Sequence, residues 1–379
     1  MKQLLLATLV LAMVACTHKA SVADAQTSEP IAAASHTLDD DIGEMLLVGF
    51  RGIAVDSTDH IWRDLTHFRV GSVILFDYDA VTGRRGRNIT SRQQVQSLCR
   101  QLRRVKPDLL IGIDQEGGRV SRLHKRYGFP QVASAQASAD MGADSVRACA
   151  VLTAKMLREA GINLNFAPVA DVDVNPQCPV IGALERSFST DPKVVTGMCH
   201  IWIDEQRQQG VASCLKHFPG HGSATGDTHK GLVDVSRTWQ RSELQPYEAL
   251  SSEAPMVMTA HVVNRQLDPD GLPASLSPRI TSLLRDSLGF TGVIVTDDLA
   301  MGAIVDHYSF ERAIAMAVAA GADLLCLSNN GKQYDPEQVP RAVRTIKKMI
   351  ADGTIDAARI HESAERVRAL KASLSSGGR

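Results

Sequence analysis

Short apolar runs recur along the chain, each closing on polar residues and each followed by a stretch of different periodicity. The runs lie at residues 46–50 (LLVGF), 71–76 (GSVILF), 109–114 (LLIGID), 162–170 (INLNFAPVA), 210–215 (GVASCL), 256–261 (MVMTAH), 292–297 (GVIVTD) and 322–328 (ADLLCLS). Continuous apolar runs of this length predict strands buried on both faces. Apolar positions returning every three or four residues predict helices at 91–105, 145–160, 192–209 and 309–321, with two more at 336–352 and 356–374. Strands alternating with helices in this way predict an α/β fold, a (β/α)8 TIM-type barrel. A doubly wound open sheet shares the alternation, but no Gly-x-Gly-x-x-Gly turn follows the first run.

The N-terminus breaks the pattern. Lys2 precedes the apolar run Leu4–Ala15, a basic start and a core too short to span a bilayer, which predicts an export signal over residues 1–15. The run ends in Met13-Val14-Ala15-Cys16. A small residue directly before a cysteine resembles a bacterial lipoprotein signal, in which Cys16 becomes the lipidated first residue and the protein sits on the periplasmic side of a membrane. Thr17 at the next position favours outer-membrane delivery. A plain secretory peptide, cut near Ala20 or at Ala23-Asp24-Ala25, is the alternative. Residues 16–36, small and polar, are read as a flexible tether. The remaining stretch, 37–379, suits one barrel of the usual ~250 residues with insertions.

Composition narrows the function. With 44% hydrophobic residues and a formal net charge of −1, the chain lacks the basic excess that binding nucleic acid or an anionic membrane requires. Membrane contact is expected only through the lipid anchor. Beyond Cys16, the cysteines Cys99, Cys149, Cys178, Cys199, Cys214 and Cys326 fall mostly inside apolar patterns and form no Cys-x-x-Cys, so they read as buried thiols.

The chemistry is concentrated between Lys216 and His229, where KHFPGHGSATGDTH packs a lysine, three histidines and an aspartate into fourteen residues. Pro219, Gly220, Gly222 and Gly226 rule out a continuous helix, so these side chains project from a loop. Ionisable groups also follow the other runs: Asp114 after the third, Asp171 after the fourth, Lys216 and His217 after the fifth, His261 after the sixth, Asp297 and Asp298 after the seventh. Catalytic groups of a barrel sit at the C-terminal ends of its strands, so these residues are expected to share one mouth. Any one of them alone would read as a helix cap or a solvated side chain.

The blocks Asp114-Gln115-Glu116-Gly117-Gly118-Arg119-Val120, Asn165 to Val172, Arg186-Ser187-Phe188, Lys216 to Gly222 and Val295 to Met301 resemble the signature segments of glycoside hydrolase family 3. The Asp-Thr-His triplet resembles its single-domain bacterial β-N-acetylglucosaminidase (β-hexosaminidase) branch. The likeness runs from about residue 40 to residue 370. It implies a retaining mechanism with Asp297 as nucleophile, His229 as proton donor and Asp227 orienting the imidazole. It also implies that Asp114, Arg122, Arg186, Lys216 and His217 hold the hydroxyls of a terminal N-acetylglucosamine. No cofactor and no metal is expected. Asp298 is then a supporting residue. The spacer Ala183-Leu184-Glu185 before Arg186 is longer than the family's usual one. Aromatic residues make up only 4% of the chain, which favours a pocket for the end of a short oligosaccharide, a peptidoglycan fragment or a chitooligosaccharide.

Three other readings compete. His217, His221, His229 and His261 could ligate a metal, but the His217–His221 spacing needs a helix that Pro219 and Gly220 forbid. A silent sugar-binding protein on this scaffold predicts loss of Asp297 or His229, and both are present. A β-N-acetylglucosaminide phosphorylase would use the same Asp–His dyad with phosphate as acceptor.

Overall fold

The computed structural model describes residues 36–376. The signal segment 1–15, Cys16 and the tether up to residue 35 lie outside the described residues. The described residues form one compact unit.

Thr37 starts the first helix, α1 (Leu38–Glu44): its hydroxyl accepts from Asp40 N at 3.2 Å and the Asp40 carboxylate accepts from Thr37 N at 2.9 Å, a reciprocal cap. The strands β1 (Leu46–Gly49), β2 (Ser72–Ile74), β3 (Leu110–Ile113), β4 (Leu164–Asn165) and β5 (Ala212–Ser213) form a parallel sheet with the last strand, β9 (Leu325–Leu327), in the order β9-β1-β2-β3-β4-β5. A second parallel sheet pairs β6 (Leu215–Phe218), β7 (Met256–Thr259) and β8 (Val293–Thr296). Single parallel bridges, Val169↔Lys216 and Val295↔Leu324, tie β6 to the segment after β4 and β8 to the residue before β9. The crossovers carry α2 (Arg92–Val105), α3 (Ala143–Ala160), α4 (Pro192–Gln208) and α5 (Phe310–Ala320), and α6 (Gln338–Ala351) and α7 (Ala357–Ser376) follow β9. The helix boundaries expected from periodicity therefore agree to within two residues.

Two strand expectations need correction. The fourth run, 162–170, is a strand only over Leu164–Asn165; Pro168 has no N–H to donate, and the chain beyond it pairs through single bonds such as Ala170 N to Lys216 O at 2.7 Å. The fifth run splits, its second half running on to Phe218 before Pro219 stops it. Lys216 and His217 are thus strand residues and do not follow the strand.

Period-2 alternation divides the core. Leu46 and Val48 pack with the helices, whereas Leu47, Ile74, Leu110, Leu164, Ala212, Cys214, Met256, Met258, Val293, Val295, Leu324 and Cys326 form one cluster drawn from the strands of both sheets. Gly112 leaves room in it for Phe166, whose ring would stand 2.8 Å from an added Cβ. Further along the same face come Lys216, Asp297 and Ser328, two residues beyond Cys214, Val295 and Cys326, and Asp114, four beyond Leu110. The apolar layer is the floor, and these polar side chains stand on it. All six described cysteines are free thiols, and burial pushes that of Cys99 up to about 12.

Candidate active site

Alternation also governs the segment after β3. Asp114 and Glu116 share a face, and Gln115 turns the other way, where its side-chain oxygen accepts from Arg122 N at 3.0 Å and Leu123 N at 2.9 Å. These two bonds hold Arg122 so that its guanidinium reaches Asp114 at 3.3 Å. Lys216, fully buried on β6, donates to Asp114 at 2.8 Å and to Glu116 at 2.7 Å. Arg186 arrives from the turn after Gly182–Leu184, donating through Nε and Nη2 to the two oxygens of Glu116, both at 2.8 Å, and through Nη1 to Val180 O at 2.7 Å. Burial alone would raise the Glu116 carboxyl, but Arg186 and Lys216 outweigh it and draw it down to about 2. The same competition, won by Lys216 and Arg122, holds Asp114 below its usual value, while Asp114 and Glu116 hold Lys216 above its own despite burial. The network fixes three cations, Arg122, Lys216 and Arg186, against two carboxylates at the wall of the cavity.

Asp171 lies behind His217. Its carboxylate accepts from His217 N at 3.1 Å, His217 Nδ1 at 2.7 Å and His221 N at 2.8 Å. Nδ1 therefore carries the proton in neutral His217, leaving Nε2 toward Arg186 Nη2 at 3.4 Å as an acceptor. His221 is buried beside it, and burial lowers its imidazole to about 4.

Asp297 ends β8. Its Oδ1 accepts from Asp298 N at 2.8 Å, and its carboxyl stays below the ordinary value because His261, His217 and His229 together overcome the effect of burial. Asp298 turns away to accept from Ala300 N and Ser328 N, both at 3.1 Å, and from the Ser328 hydroxyl, and burial raises its carboxyl. His261 donates from Nε2 to Asp298 O at 2.9 Å and meets Ser275 Oγ through Nδ1 at 2.7 Å.

The remaining histidine is on the loop. Asp227 Oδ1 accepts from His229 N at 2.9 Å and from His229 Nδ1 at 2.8 Å, so the outer nitrogen, Nε2, is left to the solvent side of a ring that is 65% exposed. These bonds hold the Asp227 carboxyl below its usual value against partial burial.

One cavity of about 320 Å³ gathers the site, small for a ligand pocket. Asp114, Arg122, Arg186, Lys216, His217, His229 and Asp297 all line it, with Glu116, His221, Thr228 and Asp298. Asp171 and His261 do not reach it, contrary to the expectation of one shared mouth: each is buried behind a lining residue that it holds. Sequence reasoning gave no role to Glu116, although its spacing of two from Asp114 was a signal that it faces the same way. Among the described residues no group of three or more His, Cys, Asp or Glu side chains is placed to hold a metal ion.

The Glycosyl hydrolase family 3 N terminal domain matches residues 37–370. The chain belongs to this family. It is a glycoside hydrolase, 37% identical over 273 residues to a β-hexosaminidase of Pseudomonas aeruginosa, covering 70% of this chain and 77% of that protein. A β-hexosaminidase of Shewanella frigidimarina is 36% identical over 299 residues, 75% of this chain and 82% of its own. Among solved structures, the family 3 β-N-acetylglucosaminidase of Paenibacillus sp. str. FPU-7 superposes with a TM-score of 0.81 at 34% identity, over 90% of the hydrolase and 63% of that longer chain. The β-N-acetylhexosaminidase of Beutenbergia cavernae gives 0.79 at 29% identity, over 90% of the hydrolase and 100% of that chain.

Proposed function

We propose that this hydrolase is a retaining, exo-acting β-N-acetylglucosaminidase that removes terminal β-linked N-acetylglucosamine from short glycans, peptidoglycan fragments or chitooligosaccharides. The observation that carries the reading is an ionised Asp297 in the same small cavity as a histidine whose inner nitrogen is bonded to a carboxylate. The names of its relatives support the sugar and support water as the acceptor. The two parallel sheets, bridged on both flanks, are read as one closed (β/α)8 ring with the cavity at its C-terminal mouth.

In the first step an Asp297 oxygen bonds to the anomeric carbon as the glycosidic C–O bond breaks, and protonated His229 gives its Nε2 proton to the departing oxygen. Asp227 keeps the Nδ1 proton in place and stabilises the imidazolium. In the second, neutral Nε2 takes a proton from water as the water oxygen displaces Asp297. Asp114, Arg122, Arg186, Lys216 and His217 orient the sugar hydroxyls through charge-assisted bonds. We propose further that residues 1–15 direct export and that Cys16 carries lipid, placing the enzyme on the periplasmic side of a membrane. Among the described residues no helix is long and apolar enough to cross one.

The test is the anomer released first from an aryl β-N-acetylglucosaminide, followed by proton NMR, with a slow substrate used to trap an adduct on the peptide containing Asp297. The β anomer and a glycosylated Asp297 are expected. An α product or an adduct elsewhere would overturn the mechanism, and faster cleavage of the matching glucoside or xyloside would overturn the sugar.

A further inference from the structure

The loop that bears His229 rests on the segment that follows Asp297. Gly302 N donates to His229 O at 3.2 Å and Ala303 N donates to Thr228 O at 3.0 Å. Thr228 is buried, and its hydroxyl meets His221 Nε2 at 3.3 Å. The contact leaves no room for a side chain: a Cβ on Gly302 would stand 2.6 Å from His229 O and 2.9 Å from Lys230 C. Gly302 has an ordinary helical backbone, so only this approach asks for glycine.

We propose that Gly302 is a positioning residue for proton transfer, the seat that sets the height of the His229 imidazole over the anomeric centre held by Asp297. The inference rests on His229 being the proton donor. Asp297 and Gly302 are five residues apart on one short segment, so nucleophile and donor loop are referenced to the same piece of backbone although 68 residues separate them in sequence. An added methyl group needs at least ~3 Å to the carbonyl oxygen, so the seat must open by some tenths of an ångström. Catalytic groups tolerate only about 0.5 Å of such displacement. His221 and Thr228 form a second arm of the same seat.

The test compares Gly302→Ala, Thr228→Val and His229→Ala with the parent on an activated aryl β-N-acetylglucosaminide and on N,N′-diacetylchitobiose, with circular dichroism and melting temperature as controls. Proton donation matters little for the aryl leaving group and much for the sugar. Gly302→Ala is expected to lose about tenfold more kcat/KM, which reports the leaving-group step, on the disaccharide than on the aryl glycoside, in the same sense as His229→Ala, with Thr228→Val showing a smaller difference of that sense. Equal losses on both substrates in a folded Gly302→Ala protein, beside unequal losses in His229→Ala, would overturn the seat and leave the donor standing. Equal losses in His229→Ala would overturn both. If Gly302→Ala does not fold, Thr228→Val decides alone: an even loss, or none, overturns the proposal.

Discussion

Replacing Glu116 with Gln removes the charge from a buried network while keeping its shape. Glu116 and Asp114 together face Lys216 and Arg186, with Arg122 at the more exposed edge, so Glu116→Gln leaves the cations with Asp114 as their one carboxylate. The folded carboxyl ionises near 2 against an ordinary value of 4.5, which corresponds to roughly 3 kcal/mol of stability at about 1.4 kcal/mol per factor of ten. Breaking a buried ion pair from one side costs about 3–5 kcal/mol, and the two routes agree. The sign follows from the depressed value: the contribution is complete above the unfolded pKa near 4.5 and is lost as pH falls toward 2. By pH 3 about half of it is gone. Urea unfolding of parent and variant at pH 7, 5 and 3 measures this directly. The gap should be about 3 kcal/mol at pH 7, nearly the same at pH 5, and clearly smaller at pH 3. A gap under about 1 kcal/mol at pH 7, or one that does not shrink with acid, would refute the idea that Glu116 is held ionised by Arg186 and Lys216.

Asp297→Ala should abolish turnover of even an activated aryl β-N-acetylglucosaminide with an unchanged circular dichroism spectrum, and Asp298→Asn should be less severe, because Asp298 bonds to Ser328 and Ala300; near-normal rates for Asp297→Ala would remove it as nucleophile. Asp227→Ala should repeat the leaving-group dependence of His229→Ala in weaker form, since it orients the ring without transferring the proton, and a larger effect than His229→Ala would reverse the assignment. Cys16→Ser should abolish labelling by a radioactive fatty acid and release the protein from membranes, because acyl chains add about 0.8 kcal/mol per buried methylene; an unlabelled parent found free in the periplasm would show a plain secretory leader.

Much of this was legible in local sequence, because the controlling physics is local. Apolar runs against 3.6-residue periodicity marked the strands and helices, and alternation by two residues marks Asp114, Lys216 and Asp297 as facing the way their buried neighbours Leu110, Cys214 and Val295 do. The glycines and proline after Lys216 marked the polar loop, and of the eight residues given a catalytic or sugar-binding role all but Asp227 line one cavity. Sequence could not say how the charges pair. Glu116 meets Arg186 across 70 residues, His217 meets Asp171 across 46, and His229 is seated on Gly302. Nor could it show that His261 and Asp171 lie behind the site and brace it. Alternation decides which face a side chain takes, whereas its partner depends on the register between strands distant in sequence and on how the loops between them close. Those are properties of the assembled chain, and only the tertiary structure decides them.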